Sequence, residues 1–349
     1  MVHKPLSIHT NFFIPMLVIY ILITLSHHLV FFENQEATPE IQTEIFSIAV
    51  FVFVCLITMI RFLSLHQICL GFFAAYPILL AICAPFTNLP IYYIVLVFWC
   101  AGSFFFFWAY ANNHFSFRQA GLYYPLFLAV TIIGRLALLH IPVNLTYLNI
   151  IAIFISATIF FLFLLTYRRL QRITHESDRR GKGVDEMFEL DYRVVLGGVT
   201  FSLALLAVLS RHRVTGSIDT IWEFALLGFL FILSWLLFRF RGTAWRFTAY
   251  GVLFTIIVTY GEPLSFIHFF APIIMILKEM SFIAVPQSMR FLTKTWVDLF
   301  FVGCGLGLGH LLLSTQAIIG IIATIIAMII YTFCVHIAGT RLEQWSPPQ

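Results

Sequence analysis

The sequence is poor in charged residues. Asp, Glu, Lys and Arg make up 10% of its 349 positions, where soluble proteins have about 25%. Hydrophobic residues fill 61% of the chain, and Phe alone occupies 40 positions. A globular protein with so few charges could not cover its surface with polar groups, so the composition excludes a soluble enzyme, a nucleic-acid-binding protein and a disordered linker protein. It predicts an integral membrane protein in contact with lipid.

The sequence also lacks the motifs of catalytic and metal sites. Its six cysteines form neither a CxxC motif nor a Cys/His pattern with metal-ligand spacing, so we expect them to be small buried side chains. No Ser/His/Asp, HExxH or paired-carboxylate arrangement has a usable spacing. We therefore predict that the protein is not an enzyme and has no catalytic residues, no bound metal and no cofactor.

Apolar runs of membrane-crossing length recur along the whole chain. A helix needs about 20 apolar residues to cross the hydrocarbon core, because lipid offers the backbone no hydrogen-bond partner. This criterion predicts an all-α membrane protein with twelve transmembrane helices, at roughly 12–32, 44–62, 66–84, 89–110, 122–141, 147–167, 194–210, 219–238, 244–260, 263–283, 294–313 and 317–338. The residues that remain leave no room for a folded soluble domain.

One connection between the predicted spans is longer and more charged than the others. It begins with Arg168, ends with Arg193 and contains Gly181 and Gly183. This connection divides the spans into six and six, which predicts an N-terminal six-helix bundle (1–167), a cytoplasmic linker (168–193) and a C-terminal six-helix bundle (194–349). The layout resembles that of transporters of the Major Facilitator type, whose two halves rock about a central site.

The placement of Lys and Arg predicts the orientation of the chain. With both termini in the cytoplasm, the first loop on the opposite side, 33–44, carries four glutamates and no Lys or Arg, and Arg211 and Arg213 are the exception on that side. This asymmetry follows the positive-inside rule. The cytoplasmic loops would carry Arg61, Arg118, the basic residues of 168–193, Arg239, Arg241, Arg290, Lys294 and Arg341.

Charged residues inside the spans mark candidate functional positions, since a charge at the bilayer centre costs about 2.5–3.5 kcal/mol on insertion scales. Arg135 has apolar turns on each side, and Glu223 lies near the start of the eighth span. We predict that Arg135 and Glu223 pair to close an outer gate, and that Arg61 and Asp298 pair at the inner ends of their spans. The alternative is that Arg61 and Glu223 reach to the membrane interface and that only Arg135 is buried.

Two segments carry a more specific pattern. The first reads FWAYAN (107–112) and then AGLYYPLF (120–127); the second reads KEMSFI (278–283), followed by Arg290, Lys294 and Asp298. They resemble the FWGxAN, AKRFYPLF and KEMAYIPL segments of the ATP/ADP translocase family of intracellular bacteria and plastids, where a Gly-Lys-Ala and an Asp follow the last segment. Together they cover about 42 residues (21 in each of the ranges 107–127 and 278–298), one in each predicted half.

The resemblance implies a set of solute-binding residues. Lys278, Glu279, Lys294 and Asp298 match the second segment, and Asn112 matches the first. Nucleotides are highly anionic, and Arg and Lys are the side chains that pair with phosphate oxygens. We therefore add Arg135 to the candidate solute-binding residues, with Lys278 as the second intramembrane cation and Lys294 at the membrane edge.

The sequence departs from the family at four basic positions. Gly121 and Leu122 stand where the family carries Lys and Arg before the Tyr-Pro, and Gly303 and Leu306 stand where it carries Arg and Lys after the Asp. These departures leave open a less charged nucleotide, another organic anion, or a member that no longer transports.

Our leading hypothesis is a secondary transporter of nucleotides, of the ATP/ADP exchange type, that works by alternating access. A carrier of another organic anion and a non-transporting, transporter-like subunit of a membrane complex are the alternatives. The expected partners are membrane lipid, a small anionic solute and, for the subunit, other membrane proteins. The resemblance implies a bacterial inner membrane as the location.

Overall fold

In a computed structural model, the described part of the chain is almost entirely helical. The structure describes residues 7–33, 63–83, 85, 90–138, 145–174, 186–211, 276–283, 285, 287–313 and 317–345. The helices are α1 (Ser7–Glu33), α2 (Leu65–Cys83), α3 (Pro90–His114), α4 (Phe117–Leu138), α5 (Leu145–Thr174), α6 (Glu186–Arg211), α7 (276–283), α8 (Gln287–Thr295), a π-helix (Trp296–Phe301), α9 (Val302–Leu313) and α10 (Ala317–Trp345). The prediction of a helical protein is confirmed over these ranges.

Within the described residues, three helical stretches are long and apolar enough to cross a membrane: Leu65–Cys83, Met289–Gly309 and Ile319–Arg341. Large apolar side chains on the helices are exposed, such as Phe154 (73%) and Phe333 (67%), as expected for surfaces that face lipid. The helices are compatible with membrane insertion, as the composition predicts. The predicted spans at 44–62, 219–238 and 244–260 lie outside the described residues, so the count of twelve stays a prediction.

Several helices extend beyond the predicted spans. Residues 168–174 continue α5, and residues 186–193 belong to α6, so both described ends of the predicted linker are helical. Likewise, α8 begins at Gln287, before the predicted start at 294. The apolar criterion marks only the part of a helix that lipid contacts, whereas Arg, Leu, Gln and Glu favour continuation of the helix into water.

Two helices begin with the same reciprocal capping arrangement. Ser64 precedes α2, and its backbone N–H donates to Gln67 Oε1 at 2.9 Å while the Gln67 N–H donates to Ser64 Oγ at 3.3 Å. Ser116 and Gln119 repeat this exchange before α4, at 2.8 and 3.4 Å. Each Ser-x-x-Gln pair satisfies backbone groups that the first turn would leave without partners.

The described residues form two compact units. In the first unit, α1, α2, α3 and α5 pack against one another around an aromatic core. Trp99 is fully buried in it: the ring stacks on Tyr76 with ring centroids 4.2 Å apart, and Nε1 donates to Ser26 Oγ at 2.6 Å. Phe73 and Tyr110 both contact Phe163 of α5, with ring centroids 4.9 and 4.4 Å apart.

The second unit contains Phe115–Leu128 and the described residues from 186 onward. In it, α6 packs against the π-helix, α9 and α10. Gly197 and Gly305 allow this close approach, since a Cβ at Gly197 would fall 2.5 Å from the Phe301 ring and one at Gly305 would fall 2.5 Å from the backbone oxygen of Phe201. Close backbone contact at glycine is a common way to pack membrane helices.

Candidate functional site

Four charged side chains of the second unit form one cluster, made of Lys278 and Glu279 from α7, Lys294 from α8 and Asp298 from the π-helix. Lys278 Nζ lies 2.8 Å from Asp298 Oδ1 and 3.2 Å from Glu279 Oε1. Lys294 Nζ lies 2.7 Å from each Glu279 oxygen and 2.5 Å from Asp298 Oδ2. Each lysine therefore contacts both carboxylates.

The cluster depends on a reversal of chain direction. In a straight helix, Lys278 and Asp298 would lie about 30 Å apart, because each residue advances the helix by about 1.5 Å. Their side chains instead touch at 2.8 Å. The chain reverses between α7, which reaches residue 283, and α8, which begins at Gln287. This places the two helices side by side and in opposite directions.

The π-helix contributes Asp298. A π turn inserts one residue relative to an α-helix, which rotates the following residues by about 100° about the helix axis. Asp298 lies in the first turn of this segment, four residues after Lys294, with which it pairs. Such turns occur frequently at functional sites.

The four members of the cluster differ in burial. The side chains of Glu279 and Lys294 are 1% and 2% exposed, whereas those of Lys278 and Asp298 are 15% and 11% exposed. Lys294 Nζ also lies 4.8 Å from the centroid of the Phe282 ring. The cluster thus has a buried inner pair and a partly open edge, and its two positive and two negative charges cancel.

The end of α7 is stabilised by side chains from neighbouring helices. Pro286 has no backbone N–H to donate, so the last carbonyls of α7 need other partners. Tyr192 donates its hydroxyl to the Ser281 carbonyl at 3.4 Å. Arg290 of α8 donates Nη2 to the Ile283 carbonyl at 2.7 Å and Nε to the Val285 carbonyl at 2.6 Å. Arg290 therefore joins α8 to the end of α7.

The second part of the first translocase-like motif (120–127) and the segment 278–283 both belong to the second unit. A Cβ on Gly121, in the first motif, would lie 3.6 Å from Met280 Cε in the second. Tyr124 of the first motif is fully buried. The start of α4 therefore packs beside the charge cluster.

The candidate residues predicted from the sequence have different places in the structure. Lys278, Glu279, Lys294 and Asp298 come together in the cluster. Asn112 is buried in the first unit, 1% exposed. Arg135 belongs to α4, in a part of that helix where only the backbone is described.

Arg61 and Glu223 lie outside the described residues, so the two predicted gate pairs stay predictions. The partners that the structure gives to Asp298 are Lys278 and Lys294. Among the described His, Cys, Asp and Glu residues, no group of three or more is placed to hold a metal ion.

The sequence did not indicate the role of Arg290, which we placed in a cytoplasmic loop. The sequence feature that could have indicated this role is Pro286, four residues before Arg290. A helix that ends near a proline leaves carbonyls without partners, and an arginine close by can donate to them. Arg193, at the predicted end of the linker, likewise donates Nε to Thr293 Oγ1 at 3.0 Å and joins α6 to α8.

No known protein family and no curated protein matches the sequence of this chain.

Proposed function

We propose that the protein is a secondary membrane transporter of a small anionic solute, of the nucleotide-exchange kind. In this proposal, twelve helices form two six-helix bundles of the Major Facilitator type, with both termini in the cytoplasm of a bacterium and the chain in its inner membrane. The bundles expose the solute site to the two sides of the membrane in turn. The long apolar helices support the membrane location.

The buried charge cluster is the observation that carries the proposal. Holding charge in an apolar bundle is costly, and intramembrane ionisable residues mark solute and ion pathways. The second part of the first translocase-like motif (120–127) packs against the segment that carries Lys278 and Glu279, and Asp298 lies in a π turn. Its lysines are of the chemical type that binds phosphate, and Lys278 lies at the partly open edge.

Uptake into proteoliposomes tests the proposal. Purified protein is reconstituted with internal ADP, and entry of radiolabelled ATP is measured, with inorganic phosphate and a dicarboxylate as other external anions. We expect uptake by the wild-type protein and its loss in Lys278→Ala. Lys182→Ala, in the charged linker, is the matched control and should transport normally. Size-exclusion profiles in detergent establish that both variants fold. Absence of uptake for all these anions would refute the proposal.

One observation favours a second candidate, a transporter-like subunit that no longer transports. Both lysines of the cluster are already neutralised by Glu279 and Asp298. Buried ion pairs of this kind also occur as purely structural elements. This candidate predicts stable co-purification with other membrane proteins from native membranes, together with no uptake by the isolated chain.

A further inference from the structure

The open edge of the cluster can change partners without breaking the rest of it. Asp298 uses its two oxygens separately: Oδ1 contacts Lys278 at 2.8 Å and Oδ2 contacts Lys294 at 2.5 Å. If Lys278 moves away from Oδ1, Asp298 keeps Lys294. Lys278 in turn keeps a longer contact with Glu279 Oε1, at 3.2 Å.

Glu279 and Lys294, the buried inner pair of the cluster, cannot change partners in this way. Lys294 contacts both oxygens of Glu279, and these two side chains are 2% and 1% exposed. An entering anion therefore has access to Lys278 before Lys294. The carboxylate that it must displace there is that of Asp298.

We infer that Asp298 is an internal counter-anion, which occupies Lys278 in the empty carrier and gives way to a phosphate group of the solute. This inference rests on the proposed function. In the empty state the two lysines and two carboxylates cancel, so the empty site holds no uncompensated charge in its apolar surrounding.

Binding to purified protein in detergent tests the competition between Asp298 and the solute. The probe is radiolabelled ATP. We expect Asp298→Asn to bind ATP at least about tenfold more tightly than the wild-type protein. The solute then no longer has to displace the charged hydrogen bond between Asp298 and Lys278, and the loss of such a bond corresponds to at least about a tenfold change in affinity. Asp298→Glu, which keeps the carboxylate, should bind like the wild-type protein. Equal affinity in all three proteins, or no binding in any, would overturn the inference.

Size-exclusion profiles in detergent establish that the variants fold, and Asp298→Ala, with the same expected gain in affinity, replaces Asp298→Asn if that variant does not fold. Entry of radiolabelled ATP into proteoliposomes with internal ADP separates the inference from the proposed function. Uptake by the wild-type protein, together with equal ATP affinity of wild-type protein and variants, would overturn the inference and leave the proposed transporter intact. No uptake would refute the proposed function itself, and the binding experiment would then decide the inference.

Discussion

The inner pair of the charge cluster gives the sharpest prediction about stability. Lys294→Met leaves Glu279, 1% exposed, with a single lysine contact at 3.2 Å. Removal of one member of a buried ion pair costs about 3–5 kcal/mol, because the other charge stays buried without compensation. We expect Lys294→Met and Glu279→Gln each to destabilise the protein by about this amount, since each leaves one unbalanced charge in the cluster.

The double variant Glu279→Gln/Lys294→Met should behave differently from the sum of the two. It restores neutrality: Lys278 and Asp298 keep their contact at 2.8 Å, and Lys278 can still donate to the Gln oxygen. Replacement of a whole buried pair is often neutral or stabilising. We therefore expect the double variant to lie within about 1 kcal/mol of the wild-type protein, with a coupling free energy of several kcal/mol in the double-mutant cycle.

Thermal unfolding in detergent, followed by the fluorescence of the seven tryptophans, measures these differences. By the usual scaling of Tm with free energy and chain length, each single variant should lower the apparent Tm by on the order of 4–7 °C. Lys182→Met, the same chemical change in the linker predicted from the sequence, is the matched control, and we expect an unchanged Tm. Single variants with normal Tm, or a double variant as unstable as both losses together, would show that the four charges do not act as one cluster.

Two further predictions concern the packing around the cluster. Arg290→Ala removes the hydrogen bonds to the Ile283 and Val285 carbonyls and should lower the free energy of unfolding by about 2–4 kcal/mol. Arg290→Lys should recover part of this loss. Unchanged midpoints of chemical denaturation would contradict this role of Arg290. Gly305→Ala should destabilise the protein by about 1–3 kcal/mol, because the new Cβ would fall 2.5 Å from the Phe201 carbonyl oxygen. Gly320→Ala is the matched control and should leave the stability unchanged, since no atom lies within 4 Å of the new Cβ there. Equal thermal stability of the two glycine variants would argue against the close packing of α6 and α9.

Local features of the sequence were sufficient to predict the helices. Charge scarcity and apolar runs predict lipid-facing helices because lipid leaves the backbone no other hydrogen-bonding solution. The criterion is weaker at helix ends, where 168–174, 186–193 and the polar α8 are helical although they are not apolar. There the helix is set by residue propensity and by tertiary contacts such as that of Arg193 with Thr293.

The resemblance to ATP/ADP translocases singled out Lys278, Glu279, Lys294 and Asp298 as candidate residues, and the structure brings these four side chains together. The sequence did not predict the contacts among them. From sequence alone, Asp298 was paired with Arg61, at the end of another span, and Lys278 was assigned to the solute. In the structure, Asp298 contacts Lys278 and Lys294.

Only the tertiary structure decided that Lys278, Glu279, Lys294 and Asp298 form one neutral cluster. The pairing requires the chain to reverse after α7, so that α8 and the π-helix with Asp298 lie beside Lys278 and Glu279. Hydrophobic pattern is a local property with a period of a few residues, whereas the contact between Lys278 and Asp298 joins side chains 20 residues apart. The sequence thus determined which segments form long apolar helices, and the packing of the helices determined which charges neutralise each other.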